Sequence, residues 1–191
     1  LYVVANLDYK NIHAIRGEED LAILELLVHY LRSVEYWQRP DYGMWEECLI
    51  RHSSSIGAVV AGLTAIKQQR LAEEIPEPLI EAGREALRSI LPCESREYTS
   101  EKCQRDHHAD EQSHDCDAAQ LSLIWPYHLI VNPAKIRELI SRIIHGHQTE
   151  NGKYHCLVQK QGLNRYWGDN FERSDKEGGF ISAEWPMFFF W

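Results

Sequence analysis

Thirteen residues from Ser53 to Ala65, reading SSSIGAVVAGLTA, constrain the fold of this chain more than any other stretch. They read as a helix that opens on Ser53 or Ser54 as N-cap and turns Ile56, Val59, Val60, Leu63 and Ile66 inward. Gly57, Ala58, Ala61 and Gly62 carry almost no side chain, so neighbouring elements can approach the backbone closely. A helix of this composition has no polar face to give to water and belongs in the core.

The rest of the chain is also helical where its periodicity can be read. Leu21, Leu24, Val28 and Leu31 share one face, with Leu27 and Val34 beside them, and Glu18, Glu19 and Asp20 sit where a helix dipole favours acids. This predicts a helix over 18–37. Another begins at Pro78, buries Leu79, Ala82, Ala86, Leu87 and Ile90, and stops before Pro92. A fourth runs from Ala118 into LSLIWPYHLI, where Pro126 must kink or end it. Asn132 caps a fifth, which lines up Ile136, Leu139, Ile140, Ile143 and Ile144 before Gly146 closes it.

A sixth helix is expected from Ser182, and one strand pair from Tyr154–Val158 and Leu163–Trp167, turning at Gly162. Residues 96–115 have no apolar stripe and read as a solvated connection. The expectation is a single all-α domain over 1–191.

Twenty Lys and Arg against 29 Asp and Glu give a formal charge of −9, which repels phosphate backbones and anionic lipid surfaces. No apolar run reaches the roughly 20 residues that span a bilayer, and the first residues do not read as a signal peptide. Nucleic-acid and membrane partners are not expected. Cysteines at 48, 93, 103, 116 and 156 leave one over in any pairing scheme, which favours reduced thiols and a cytoplasmic location. The chain starts at Leu1 without methionine and ends on the aromatic run Phe188–Trp191, so it reads as a fragment of a longer protein.

The chemistry concentrates in Asp41–Glu47, reading DYGMWEE, just before the core helix. Neighbouring glutamates are ordinarily a solvated surface. Here Trp45 adjoins Glu46 and Glu47, with Tyr42, Met44 and Trp37 close by. Indole faces receive the apolar face of a sugar ring while carboxylates take its hydroxyls. An apolar neighbour also suits a carboxylic acid that must hold its proton.

A second run mixing acids and indoles, Arg165–Pro186, contains Glu172 and Glu184. Inverting glycoside hydrolysis needs two carboxylates about 6.5–9.5 Å apart, so Glu46 with Glu172 or Glu184 is the candidate pair. Glu184 would fall in the first turn of the final helix, where the dipole suits a base. Cys103, His107, His108, His114 and Cys116 supply zinc-type ligands, but in no finger spacing, and a plain exposed loop is the favoured reading. His145 and His147 flank Gly146 as structural residues at a helix end.

Six motifs occur in one order: DYGMWEE, HSSSIGAVVAGLTAI, LRSILP, DAAQLSLIWPYHLI, GKYHCLVQKQG and SAEWPMF. In this order the chain, from about Leu21 to Trp191, resembles family 15 of the glycoside hydrolases. Within that family it most resembles the glucoamylase-like domain shared with the alpha and beta regulatory subunits of phosphorylase kinase. The resemblance implies a six-hairpin toroid, an (α/α)6 barrel, of which this chain would hold only part, with exposed apolar helix faces.

By the same resemblance Glu46 is the general acid, Glu47 binds sugar, and the base is Glu172 or, in its place, Glu184. Asp41, Trp45 and Trp185 would line the substrate site. The implied partner is an α-glucan or oligosaccharide, with no metal or organic cofactor. Two functions remain open: an inverting α-glucan hydrolase, and a non-catalytic glucan-sensing or regulatory module that engages a partner subunit.

Overall fold

The computed structural model describes residues 1–72, 75–97, 116–148, 154–166, 169, 184 and 185. The architecture is all-α, with helices α1 (Tyr2–Tyr9), α2 (Glu18–Ser33), α3 (Ser53–Gln69), α4 (Glu77–Ile90), α5 (Leu121–Ile124) and α6 (Pro133–His145). A 3-10 turn, Ala118–Gln120, leads directly into α5. Two two-residue strands, β1 (His147–Gln148) and β2 (Tyr154–His155), pair antiparallel.

Helix α3 is the hub, as its composition requires, and α1, α4 and α5 pack on it. Its residues Ile56, Val60, Leu63 and Ile66 are buried with Leu24 and Val28 of α2 and with Leu79, Ile80, Leu87 and Ile90 of α4. Gly83 shows how close the approach is. A Cβ there would lie 2.2 Å from Tyr36 Oη and 2.5 Å from Val60 Cγ2. Tyr36 donates from that buried hydroxyl to the Leu79 carbonyl at 2.9 Å, so it has little room to withdraw. Gly83→Ala is therefore expected to destabilise the chain by about 1–3 kcal/mol despite alanine's better helix propensity, as measured by urea denaturation.

Several boundaries differ from the sequence reading. Helix α1 was not predicted, because YVVANLDY is short and lacks a polar stripe; it is held by Leu1 and Tyr2 packing over Gly62 of α3. Helix α2 ends at Ser33 rather than 37, and Glu35 then takes a left-handed backbone with φ of 50°. Helix α3 is not capped by its own serines: Ser53 and Ser54 lie in its first turn, and Glu94 binds them from across the fold. Helix α4 starts one residue early, at Glu77, and Ala82 is only half-buried. Helix α5 is four residues long and ends before Pro126.

Asn132 caps α6 as expected, accepting from the Ala134 and Lys135 amides at 2.9 and 3.4 Å. Only Leu139 and Ile143 of its apolar face are buried, while Ile140 and Ile144 are exposed. The expected hairpin is reduced to a single bridge, Val158 to Leu163, with Tyr154 paired instead to Gln148. Glu184 and Trp185 are not in a helical turn; Trp185 bridges Leu163, with N–H to O distances of 2.9 and 3.2 Å. The start of the sixth helix at Ser182 lies outside the described residues.

Among the described residues no helix is long and apolar enough to cross a membrane. The thiol expectation is corrected at Cys48, which is disulfide-bonded, while Cys93, Cys116 and Cys156 remain thiols. The cysteines therefore no longer argue for a reducing compartment.

Candidate functional site

The DYGMWEE segment forms a closed loop. Asp41 and Ile50 exchange both backbone hydrogen bonds at 3.0 Å. The Asp41 carboxylate accepts from the Gly43 amide at 2.6 Å and from Ser55 Oγ at 2.9 Å, tying the loop to the start of α3. Gly43 has φ of 64°, and a Cβ there would press on the His52 ring at 2.8 Å, so the turn requires glycine. Asp41 thus shapes the loop that presents the next residues.

Trp45 and Glu47 both reach one cluster formed by Asp117, Arg165 and Tyr166, whereas Glu46 between them is exposed. Trp45 is half-buried and donates from Nε1 to both oxygens of Asp117, at 2.9 and 3.1 Å. Glu47 accepts from Tyr166 Oη at 2.6 Å and forms an ion pair with Arg165 Nη1 at 2.5 Å. Glu46 is exposed, has φ of 56°, and makes no hydrogen bond or ion pair among the described residues. A left-handed backbone on a non-glycine residue is uncommon and recurs at functional sites.

The partners come from far along the chain because Asp117 bridges Tyr166 and the Ala118 amide donates to the Arg165 carbonyl at 2.7 Å. Arg165 is 3 % exposed and is gripped by Asp169 through two hydrogen bonds, at 2.9 and 2.5 Å. Its guanidinium carbon lies 5.6 Å from the Trp45 ring centre and 5.2 Å from that of Tyr166, within cation–π range. Burial disfavours its charge, but Asp169 and then Glu47 more than offset this and hold its pKa above the ordinary arginine range. Trp185 joins the group, its ring centre 6.0 Å from that of Trp45.

A second polar layer lies beneath. Glu94 is 1 % exposed and accepts from Ser53 Oγ at 2.6 Å, from Ser54 Oγ, and from the Ser54 amide at 3.2 Å. It therefore takes the hydrogen bonds that the first turn of α3 offers. His52 Nδ1 stands 3.6 Å from Glu94, and its Nε2 donates to the Cys48 carbonyl at 3.1 Å.

Burial pushes the Glu94 pKa up; His52 and Ser53 pull it back, and the negative charge of Asp117 raises it further. Burial pulls His52 down, but Glu94, the Cys48 carbonyl and Asp41 outweigh this, and its pKa is raised. Both groups bind protons more tightly folded than unfolded. Their contribution to stability is full below the ordinary values of 4.5 and 6.5 and is lost as pH rises through the folded ones. Thermal melts between about pH 5 and pH 8 check the sign: wild type is expected to lose stability with rising pH more steeply than Glu94→Gln. An equal or shallower slope contradicts the assignment.

Of the predicted site residues, the structure brings Trp45, Glu47 and Trp185 together around Arg165, with Asp41 supporting the loop and Glu46 exposed on it. Glu184 accepts a hydrogen bond from the Gln161 amide. Glu172 lies outside the described residues, as do Cys103, His107, His108 and His114. Cys116 is buried in a second apolar cluster with Leu139 and Leu157, and no group of three His, Cys, Asp or Glu able to hold a metal occurs among the described residues. His145 sits in the last turn of α6.

The sequence reading missed Arg165, Asp169, Tyr166, Asp117 and Glu94. Asp117 had a local signal, the capping-box spacing to Gln120, which the structure realises with the Ala119 amide donating at 2.7 Å. Comparison of the chain with protein-family models, curated proteins and solved structures finds no match. The likeness to glucoamylase-like hydrolases rests on the motifs alone.

Proposed function

We propose that this chain carries part of the sugar site of an inverting glycoside hydrolase acting on α-glucans, built on part of an (α/α)6 barrel. The observation that supports it most is the division of labour between two adjacent glutamates. Glu47 is committed to Arg165 and Tyr166, while Glu46, which follows Trp45 in the chain, is exposed. One carboxylate is fixed and the other is exposed to solvent. The barrel reading draws support from the exposed apolar face of α2, where Ile23, Leu26 and Tyr30 are 56 %, 68 % and 60 % exposed, as a helix awaiting further helices would be.

In this reading the sugar ring stacks on Trp45 and Trp185, and Glu47 with Arg165 receives its hydroxyls. Glu46 gives its proton to the glycosidic oxygen as the bond from that oxygen to the anomeric carbon breaks. Water attacks the opposite face, forming the new carbon–oxygen bond, and a second carboxylate takes the proton that water loses. Glu172 or Glu184 would serve as that second carboxylate. No cofactor is needed for this chemistry.

One observation favours the non-catalytic alternative, a glucan-sensing or regulatory module. Glu184, the one candidate base among the described residues, is held by the Gln161 amide. Incubating the full-length protein with maltooligosaccharides separates the two. Glucose release supports the hydrolase; saturable binding with no release supports the sensing module; and neither result removes both.

A further inference from the structure

A hollow of about 530 Å³ opens at the far end of α3 from the DYGMWEE loop, between α1, α3, α4 and the 127–129 segment. The hollow is lined by α3 from Ala61 to Gln69, so it begins about 12 Å along the helix from Ser53 and ends about 24 Å from it. The volume falls within the range of small-molecule sites, roughly 300–1,000 Å³. It exists because α3 places Ala61 and Ala65, one turn apart, along its lining, where larger side chains would fill it.

The residues around those alanines are of a particular kind. Three tyrosines line the hollow: Tyr2 and Tyr9 from α1, and Tyr127. The Tyr2 and Tyr127 rings meet edge to face at 5.2 Å and 85°. Tyr2 gives its hydroxyl proton to the Pro126 carbonyl, while Tyr127 has no hydrogen-bond partner among the described residues. Amides come from Asn6, Gln68 and Gln69. Aromatic rings and amides on one lining suit an apolar ring face that carries hydroxyls at its edge.

Charge separates this class from others. Among the described residues no carboxylate lines the hollow, which disfavours a metal ion or a cationic ligand. Its guanidinium, Arg84, is committed to Glu77 at 3.1 Å and Glu81 at 3.5 Å, so an anion would find that charge already answered. His128, at the rim, is held in a left-handed backbone with φ of 52° next to Tyr127.

We propose that this hollow is a second binding site, separate from the Trp45–Glu46 site, for a small neutral polyhydroxylated ring such as one or two sugar units. Its existence does not depend on whether the first site hydrolyses anything. The α3 helix joins the two, with Glu94 and the serines at one end and the hollow at the other.

The test uses the full-length protein labelled with 3-fluorotyrosine, with the Tyr2, Tyr9 and Tyr127 signals assigned by single phenylalanine substitutions. Maltose is the titrant and sodium sulfate the anionic control. The three fluorine signals are expected to move saturably with maltose, in wild type and in Glu46→Gln alike, and to stay fixed with sulfate. Ala65→Phe, which fills the hollow, is expected to weaken the response about tenfold or more. Gln68→Ala, at an exposed position that cannot unfold the core, gives the same direction if Ala65→Phe proves unstable. The proposal is overturned if the three signals stay fixed with maltose, if sulfate moves them instead, or if neither variant weakens the response.

Discussion

Glu46→Gln is expected to lower kcat on maltooligosaccharides by about 10²- to 10⁴-fold, the usual contribution of a positioned general acid, while leaving sugar affinity and fold intact. The structure makes the substitution clean. Glu46 is exposed and takes no part in any hydrogen bond or ion pair among the described residues, so its stability cost should stay within about 0.5 kcal/mol. Glutamine keeps the size of the side chain and, being an L residue, carries the same backbone preference at φ of 56°. What it loses is the transferable proton. Steady-state kinetics together with a thermal melt check this, and a variant that turns over like wild type removes Glu46 from catalysis. Glu47→Gln behaves differently: it weakens the pair with Arg165, so folding and sugar binding suffer together.

Arg165→Ala is expected to cost about 3–5 kcal/mol, because it removes the cation beside one fully buried carboxylate and one largely buried one. The Asp169 side chain is 0 % exposed and that of Glu47 15 %, and both contact Arg165. Against a typical domain stability of about 5–15 kcal/mol, this removes a large share. The Trp45 and Tyr166 rings also lose the guanidinium that sits beside both. Arg165→Lys should recover only part of the loss, since a single ammonium cannot serve Asp169 through two donors and Glu47 through a third. Guanidinium denaturation measures both variants. A cost of about 1 kcal/mol or less for Arg165→Ala would mean that the cluster is not a unit.

The helix features set by local physics were readable. The buried face of α3, the Asn132 cap with Pro133, and the Gly146 stop of α6 each depend on residues within a few positions of one another. The misses have a common cause. Glu94 caps α3 from 41 residues away, and Tyr166 reaches Glu47 across 119. No periodicity encodes such pairs. Trp185 was placed near the site for its chemistry, but its expected helical turn is instead a bridge to Leu163, a pairing across the fold that overrode local propensity. The expected Ser53 and Ser54 caps show the same lesson in small: the residue types were right for a helix start, and a buried carboxylate made different use of them.

Arg165 stood in an aromatic run, RYW, that was read for its acids and indoles. Its role becomes visible only when the bridge between Asp117 and Tyr166 carries it to the Glu47 side of the loop. The adjacent glutamates looked interchangeable as letters. The fold separates them, giving one an arginine and a tyrosine and leaving the other exposed.

The central claim is that Glu46 protonates a glycosidic bond while water inverts the sugar carbon. Proton NMR of full-length protein with maltotriose tests it directly by following the anomer released in the first minutes, before mutarotation mixes the two forms. The account predicts β-glucose from wild type and none above background from Glu46→Gln. Release of α-glucose, or β-glucose release that survives in Glu46→Gln, would contradict it.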